Sequence, residues 1–225
     1  MTDKIAAVLW DMDGTLVDSE PLHEKALSAT LSEQGIAPPD HLNSIVVGMS
    51  AAMIHDLFCA RFGLRRSFPD WLVSYYRFYL HRASELVARQ GALEIFRDID
   101  LAGISQAIVS NSDRMLVDAN LAAVRITRPG LVSVARNDVR SGKPDPEPFL
   151  RAAWIMGVEP GRCVAVEDSV LGASAGVAAG MKTLFWPQSD AEPPCGAILV
   201  SNATELRAML GLGQHAIVQP MPKIA

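Results

Sequence analysis

Cysteine is scarce in this chain. There are three, Cys59, Cys163 and Cys195, and their spacing matches neither a zinc site nor a CxxC pair. An odd, unpatterned set points to a reducing compartment and to a fold that no disulfide staples. Basic charge is also short, with 20 Lys and Arg against 25 Asp and Glu, a net charge of -5. A protein held to nucleic acid by broad electrostatics carries a basic face, so nucleic acid is excluded as a partner. Long hydrophobic runs are missing. The longest apolar stretch, Val170 to Trp186, contains Ser174 and Lys182 and divides into a helix and a strand, so no membrane span is expected. The N-terminal run Ile5 to Trp10 passes straight into acids and is too short and too acidic for a secretory leader. A cytoplasmic protein with no membrane partner, a monomer or a small homo-oligomer, is the expectation. Neither GxxxxGK[ST] nor GxGxxG occurs. Gly172, Gly176 and Gly180 recur every four residues and predict a smooth helix stripe for close packing on a sheet.

What is present is a chain of 225 residues, 49% hydrophobic and 20% charged, which can bury a sizeable core. Three segments share one design, a short apolar run that ends abruptly in polar residues. Ile5 to Trp10 leads into Asp11-Met12-Asp13-Gly14, Ala107 to Val109 into Ser110-Asn111-Ser112-Asp113, and Cys163 to Val166 into Glu167-Asp168-Ser169. Unbroken apolar runs are what strands buried on both faces look like. The last two are followed by helical patterns with Ser112 and Ser169 as expected N-caps. Strand–helix alternation predicts a parallel sheet with helices on both faces, an α/β fold. In such sheets ligands bind outside the carboxyl ends of the strands, so the three polar clusters should meet at one edge.

Between the first two runs the pattern is helical. Helices are expected over Pro21–Gln34, Asp40–Val47, from Ser50 to Phe62, and from Pro69 through residues recurring to Leu86, with no strand between them. The reading is a Rossmann-like parallel-sheet core formed by residues 1–16 and 89–210, an inserted helical cap over 17–88, and a C-terminal tail over 211–225. Thr183–Trp186 and Ile198–Val200 are further expected strands and Ala203–Leu210 a last helix.

Two carboxylates as close as Asp11 and Asp13 repel, and Glu167 and Asp168 from another strand end add to the repulsion. A hard divalent ion with oxygen ligands relieves it, and Mg²⁺ is the usual choice beside phosphate. A carboxylate in such a place can attack phosphorus, while a second acid protonates the leaving oxygen and later deprotonates water. Ser110 and the following backbone amides can donate to the phosphoryl oxygens, and Lys143, between Gly142 and Pro144, can supply a cation.

These residues carry a resemblance. Asp11-Met12-Asp13-Gly14-Thr15-Leu16-Val17-Asp18-Ser19-Glu20, Val109-Ser110-Asn111, Gly142-Lys143-Pro144-Asp145-Pro146 and Val166-Glu167-Asp168-Ser169 occur in this order. Together they resemble the four motifs of the haloacid dehalogenase superfamily, in the subgroup of β-phosphoglucomutase and small phosphosugar phosphatases. The resemblance implies a four-helix cap inserted after the first strand, Asp11 as nucleophile and Asp13 as general acid/base. It implies Mg²⁺ held by the Asp11 side chain, the Asp13 backbone carbonyl and Asp168, with Glu167 assisting. It implies Ser110, Asn111 and Lys143 at the phosphoryl group. The true dehalogenases lack an acid at the position of Asp13, so phosphoryl transfer is favoured.

In the cap, His23 matches a hinge-side histidine of the phosphoglucomutase relatives, and Val47-Gly48-Met49-Ser50-Ala51 matches their substrate loop in part, which marks Gly48 and Ser50 as candidates. Those relatives have a lysine before the glycine and an arginine after the serine. Neutral Ala51 cannot clamp a second phosphate, and Arg77 or Arg82 would have to replace the charge. The expectation is therefore a Mg²⁺-dependent phosphatase acting on a small phosphorylated metabolite, a sugar phosphate. A phosphohexose mutase is the alternative, and a phosphate-switched binding module a remote one.

Overall fold

The computed structural model describes residues 4–46 and 49–213. Along the chain, β1 (Ala7–Trp10) is followed by β2 (Val17–Asp18) and by the helices α1 (Glu20–Ser32), α2 (Leu42–Val46), α3 (Ala51–Phe62) and α4 (Phe68–His81). Then come β3 (Val87–Ala88), α5 (Ala92–Leu101), β4 (Ser105–Val109), α6 (Arg114–Ala123), β5 (Val132–Val134) and α7 (Glu147–Met156). The chain finishes with β6 (Cys163–Glu167), α8 (Val170–Ala178), β7 (Lys182–Phe185), β8 (Ala197–Leu199) and α9 (Ala203–Met209).

Six strands form one sheet in the order β5-β4-β1-β6-β7-β8, every neighbouring pair parallel. Strand periodicity sorts the apolar side chains to the two faces. Val8 and Trp10 join α5, α6 and α9 on one side, through Phe96, Val117 and Leu206. Ala7 and Leu9 join α7 and α8 on the other, through Phe149 and Ala175. This is the α/β architecture expected from the unbroken apolar runs.

Helices α1 to α4 bury a cluster of their own around Leu27, Leu31, Leu42, Phe58 and Trp71. Each such side chain contributes about 1.5–3 kcal/mol on burial, so the segment needs no strand to hold its interior. Leu116 of α6 belongs to this cluster while Val117 and Leu121 of the same helix belong to the sheet side. Helix α6 is thus the seam between the two groups.

Several local expectations need correction. Two residues of strand stand at each end of the helical segment, where none was expected. Val17 and Asp18 pair antiparallel with Ala88 and Val87. They are too short for any periodicity to show. Strand β5 was also unforeseen, since Val132-Ser133-Val134 is brief and follows Pro129-Gly130. Helix α4 stops at His81, short of Leu86, and a 3-10 turn over Ala83–Glu85 follows. Ser50 and Ser169 do cap α3 and α8, but Asp113 rather than Ser112 occupies the cap position of α6. Of the glycine stripe, Gly172 and Gly176 approach Glu167, Thr183 and Ala165 closely, while Gly180 faces open space and turns the chain after α8. Of the tail expected over 211–225, residues 214–225 lie outside the described residues, as do Val47 and Gly48.

One polar link crosses the sheet-side core. The Trp10 indole donates to Gln106 Oε1 at 2.8 Å, and the Gln106 amide donates to the Phe96 carbonyl at 2.9 Å and to Asp100 Oδ1 at 2.6 Å. Gln106→Leu would leave the buried indole N–H and the Phe96 carbonyl without this partner, which costs about 1–3 kcal/mol. Urea denaturation should show the unfolding free energy falling by that amount, read as a lower midpoint with an unchanged slope. An unchanged midpoint would mean the link carries no stability.

Candidate active site

Strand register decides what meets at the sheet edge. Trp10 lies opposite Ile108 on one side and Val166 on the other, so the residues following β1, β4 and β6 emerge level with one another. Asp11, Ser110, Glu167 and Lys143 are all buried there. The Lys143 ammonium donates to Asp11 Oδ1 at 2.6 Å, to the Val109 carbonyl at 2.6 Å and to Glu167 Oε1 at 2.5 Å. Asn111 holds the loop that delivers it. The Asn111 amide donates to the Lys143 carbonyl at 3.1 Å and its Oδ1 accepts from the Lys143 N–H at 2.8 Å. The Asn111 side chain therefore faces the lysine loop, and both its polar ends are engaged there.

Asp168 accepts from the Thr15 hydroxyl at 3.2 Å. Gly14, at φ +81°, lies so close that a Cβ there would stand 2.0 Å from Asp168 Oδ2. Asp13 turns its carboxylate to another set of groups. Its Oδ1 accepts from Ser19 at 2.7 Å and from the Asn120 amide at 3.1 Å, and its Oδ2 accepts from Ser112 at 2.8 Å and Ser110 at 3.3 Å. His23 Nε2 is 3.8 Å from Asp13 Oδ1, and its Nδ1 is 2.5 Å from the Tyr75 hydroxyl.

The electrostatics follow from one cation among three acids. Burial pushes Glu167 up to about 8, with the Asp11 charge adding to it and Lys143 opposing. Burial and then Asp11 carry Asp168 up to about 7. Burial also raises Asp11, against the pull of Lys143. Burial works against the charge of Lys143 too, but Asp11 and Glu167 outweigh it and hold the ammonium protonated. Asp13 goes the other way. Burial would raise it, yet the nearby His23 and the bonds from Ser19 and Ser112 bring it below its ordinary value.

Asp11, Glu167 and Asp168 each offer an oxygen, all within 4.8 Å of one another. An all-oxygen donor set carrying more negative charge than Lys143 balances fits a hard divalent cation such as Mg²⁺. The Asp13 carboxylate is not in that group.

A family model described as haloacid dehalogenase-like hydrolase matches residues 5–180. The chain belongs to the haloacid dehalogenase-like hydrolases. Among named members, it is 33% identical over 175 residues to hexitol phosphatase A of Escherichia coli (strain K12), a match covering 76% of this chain and 78% of that protein. It is 29% identical over 187 residues to the N-acetylmuramic acid 6-phosphate phosphatase of Pseudomonas aeruginosa, covering 80% of each. Among solved structures, a haloacid dehalogenase family hydrolase from Deinococcus radiodurans R1 with bound phosphate and sodium superposes with a TM-score of 0.72 at 28% identity, over 95% of this chain and 100% of that one. CbbY from Rhodobacter sphaeroides in complex with phosphate shares the fold with a TM-score of 0.79 at 24% identity, over 90% of this chain and 96% of that one.

In this hydrolase the sequence pattern left several site residues unread. Ser19 and Thr15 sit inside the first motif. Ser112 gives its hydroxyl to Asp13 rather than to a helix end. Asn120 is fully buried on the face of α6 that otherwise presents Leu116, Val117 and Leu121, and a polar residue at an apolar helical position is the signal that could have found it. Arg89 donates to the carbonyls of Gly14 at 2.8 Å, Trp186 at 2.6 Å and Pro187 at 3.0 Å, with its guanidinium 3.6 Å from the Trp186 ring centre. Of the cap candidates, His23 reaches the site. Ser50 is an exposed cap of α3, accepting from the Met53 N–H at 3.3 Å, and Gly48 lies outside the described residues.

Gly14→Ala combines a left-handed backbone with a Cβ inside van der Waals contact of Asp168. Displacing the loop by an ångström or so should lower kcat/KM by about a hundredfold, read by steady-state kinetics. A variant with wild-type kcat/KM would show the loop to be uncritical.

Raised carboxyls also set a pH dependence. Glu167 and Asp168 titrate higher in the fold than in the unfolded chain, so the stability they contribute to the metal-free protein is full below about pH 4. It is lost as pH rises through about 7 to 8. A divalent cation binds the deprotonated forms, so its effect runs the opposite way. Thermal melts from about pH 5.5 to about pH 9 should show Tm falling without metal and the Mg²⁺-induced gain growing with pH. A gain that does not change with pH would remove these acids from the ligand set.

Proposed function

We propose that this hydrolase is a Mg²⁺-dependent phosphatase that cleaves a small phosphorylated metabolite, a sugar or polyol phosphate, through an aspartyl-phosphate on Asp11. The observation that carries the reading is the position of Asp11. Its carboxylate is held by a buried ammonium beside Glu167 and Asp168, with Ser110 on the adjacent strand end and Asp13 two residues on.

An Asp11 oxygen forms a bond to phosphorus as the ester P–O bond breaks, and the electron pair leaves on the ester oxygen. That oxygen takes a proton from Asp13. Water then attacks the phosphorus and passes its proton to Asp13, the bond from phosphorus to Asp11 breaks, and inorganic phosphate departs. Asp13 rests ionised, the form that accepts a proton from water. Its acid form is favoured once a dianionic phosphoryl group lies beside it. Lys143, the Ser110 hydroxyl and the backbone amide of Asn111 stabilise the phosphoryl oxygens. Mg²⁺, held by Asp11, Asp168 and the Asp13 carbonyl with Glu167 assisting, would supply neutralising charge to the same oxygens.

Residues 17–88 serve as a cap over a catalytic core of residues 1–16 and 89–210, with the β2–β3 pair at both crossings. Hydrolysis is favoured over a mutase because Ala51 is neutral and the two cap arginines that could replace its charge are engaged elsewhere. Arg77 pairs with Glu33 and Arg82 with Glu85, which leaves neither to replace a distal phosphate clamp. The named relatives that act on hexitol phosphate and N-acetylmuramic acid 6-phosphate support a monophosphate with an uncharged or sugar-like remainder.

The purified protein with Mg²⁺ should release phosphate from members of a phosphomonoester panel, and chelation should stop it. Asp11→Asn should lower kcat by a factor on the order of a thousand or more. Undiminished release by Asp11→Asn would end the nucleophile assignment.

A further inference from the structure

Asp13 is tied to the helical segment through a path that neither the motifs nor the family match assigns. Asn120 of α6 is fully buried, and its side chain bridges two unlike groups. Its Nδ2 donates to Asp13 Oδ1 at 3.1 Å, and its Oδ1 accepts from the Tyr79 hydroxyl at 3.0 Å. Tyr79 belongs to α4, is itself fully buried, and places its ring 4.6 Å from that of His23. The direction of the chain is fixed by chemistry. An ionised carboxylate can only accept, so the amide NH₂ must face Asp13, the amide oxygen must face Tyr79, and the phenol must donate. Donation into an amide oxygen strengthens the N–H on the other end of the same conjugated group. Helix α6 is also the seam where Leu116 packs with the helical segment and Val117 with the sheet side.

We propose that Asn120 and Tyr79 are positioning residues for Asp13: the hydrogen-bonded path from the Tyr79 phenol through the Asn120 amide holds the Asp13 carboxyl in the orientation that protonates the leaving oxygen, and does so only while α4 is seated against α6. The inference rests on the reading of Asp13 as the proton-transferring acid. Neither residue touches the reacting atoms. Their effect is confined to steps that need a proton from Asp13, and a phenol lost from this path frees the amide to turn.

The test compares two small esters that differ in how much they need an acid, p-nitrophenyl phosphate with a good leaving group and phenyl phosphate with a poorer one. The readout is kcat/KM, which reports only through formation of the phosphoenzyme. Asp13→Asn sets the scale, and should lose about a hundredfold or more on phenyl phosphate and much less on p-nitrophenyl phosphate. Tyr79→Phe, which keeps the ring on His23, and Asn120→Leu should show the same imbalance at smaller size. The expected loss is several-fold to about tenfold on phenyl phosphate and under about twofold on p-nitrophenyl phosphate. The double variant should be no worse than Asn120→Leu alone, because the two act in series. If Asp13→Asn shows the imbalance and folded Tyr79→Phe does not, the positioning path is overturned and the role of Asp13 stands. If Asp13→Asn loses equally on both esters, the acid assignment falls and the path with it. Tyr79→Phe removes one oxygen, so the outcome does not depend on Asn120→Leu folding.

Discussion

The site depends on one buried ammonium. Lys143 reaches Asp11, Glu167 and the Val109 carbonyl at once, and its charge lets these acids crowd at the end of a parallel sheet. Ions withdrawn from water lose solvation that a single partner seldom restores. Here the lysine satisfies all three of its N–H bonds on groups from different strands. Removing either member of such a pair leaves a buried charge uncompensated, typically at about 3–5 kcal/mol. Burial, and then the negative charge that remains after Lys143 is counted, leaves Glu167 and Asp168 easy to protonate, and that same charge makes them receptive to a divalent cation.

Much of this edge was legible in the sequence, and particular residues show why. Ile5 to Trp10, Ala107 to Val109 and Cys163 to Val166 have no polar alternation, which is the mark of a strand covered on both faces. The acids and hydroxyls that end them had to surface together. The inserted helices were legible from their caps and spacing, Ser50 and Pro69 among them. The failures were of two kinds. Two-residue strands such as Val17–Asp18 and Val87–Ala88 carry too few residues for a period. Side-chain partners are set by tertiary geometry, so Ser112 faces Asp13 instead of a helix end, and Asn111 faces the lysine loop. Asn120 violates the apolar face of α6, and that violation could be read as a question but not answered without the neighbouring Tyr79.

Arg89 shows how the helical segment is fastened to the chemistry. Its backbone N–H donates to the Leu16 carbonyl at 3.0 Å, while its guanidinium gathers the Gly14, Trp186 and Pro187 carbonyls. Gln188 adds a second donor to Gly14 at 2.9 Å. The return crossing of the insertion, the turn after β1 and the exit of β7 are thereby one mechanical unit. A planar five-donor group stacked on an indole suits this better than a lysine would.

The strand order has a consequence for how the protein comes into being. β1 is made early but lies in the interior of the sheet, and its two neighbours are β4 and β6. The second of these is translated some 150 residues later. At about 5–20 residues per second, β1 waits roughly 8–30 seconds for its second partner, with one hydrogen-bonding edge unpaired. The helices in between can bury their own side chains during that interval, whereas the β6-facing edge of β1 has no partner. The open edge of β1 is therefore a pairing hazard during synthesis, and Asp11, Lys143 and Glu167 can come together only once β6 has been made.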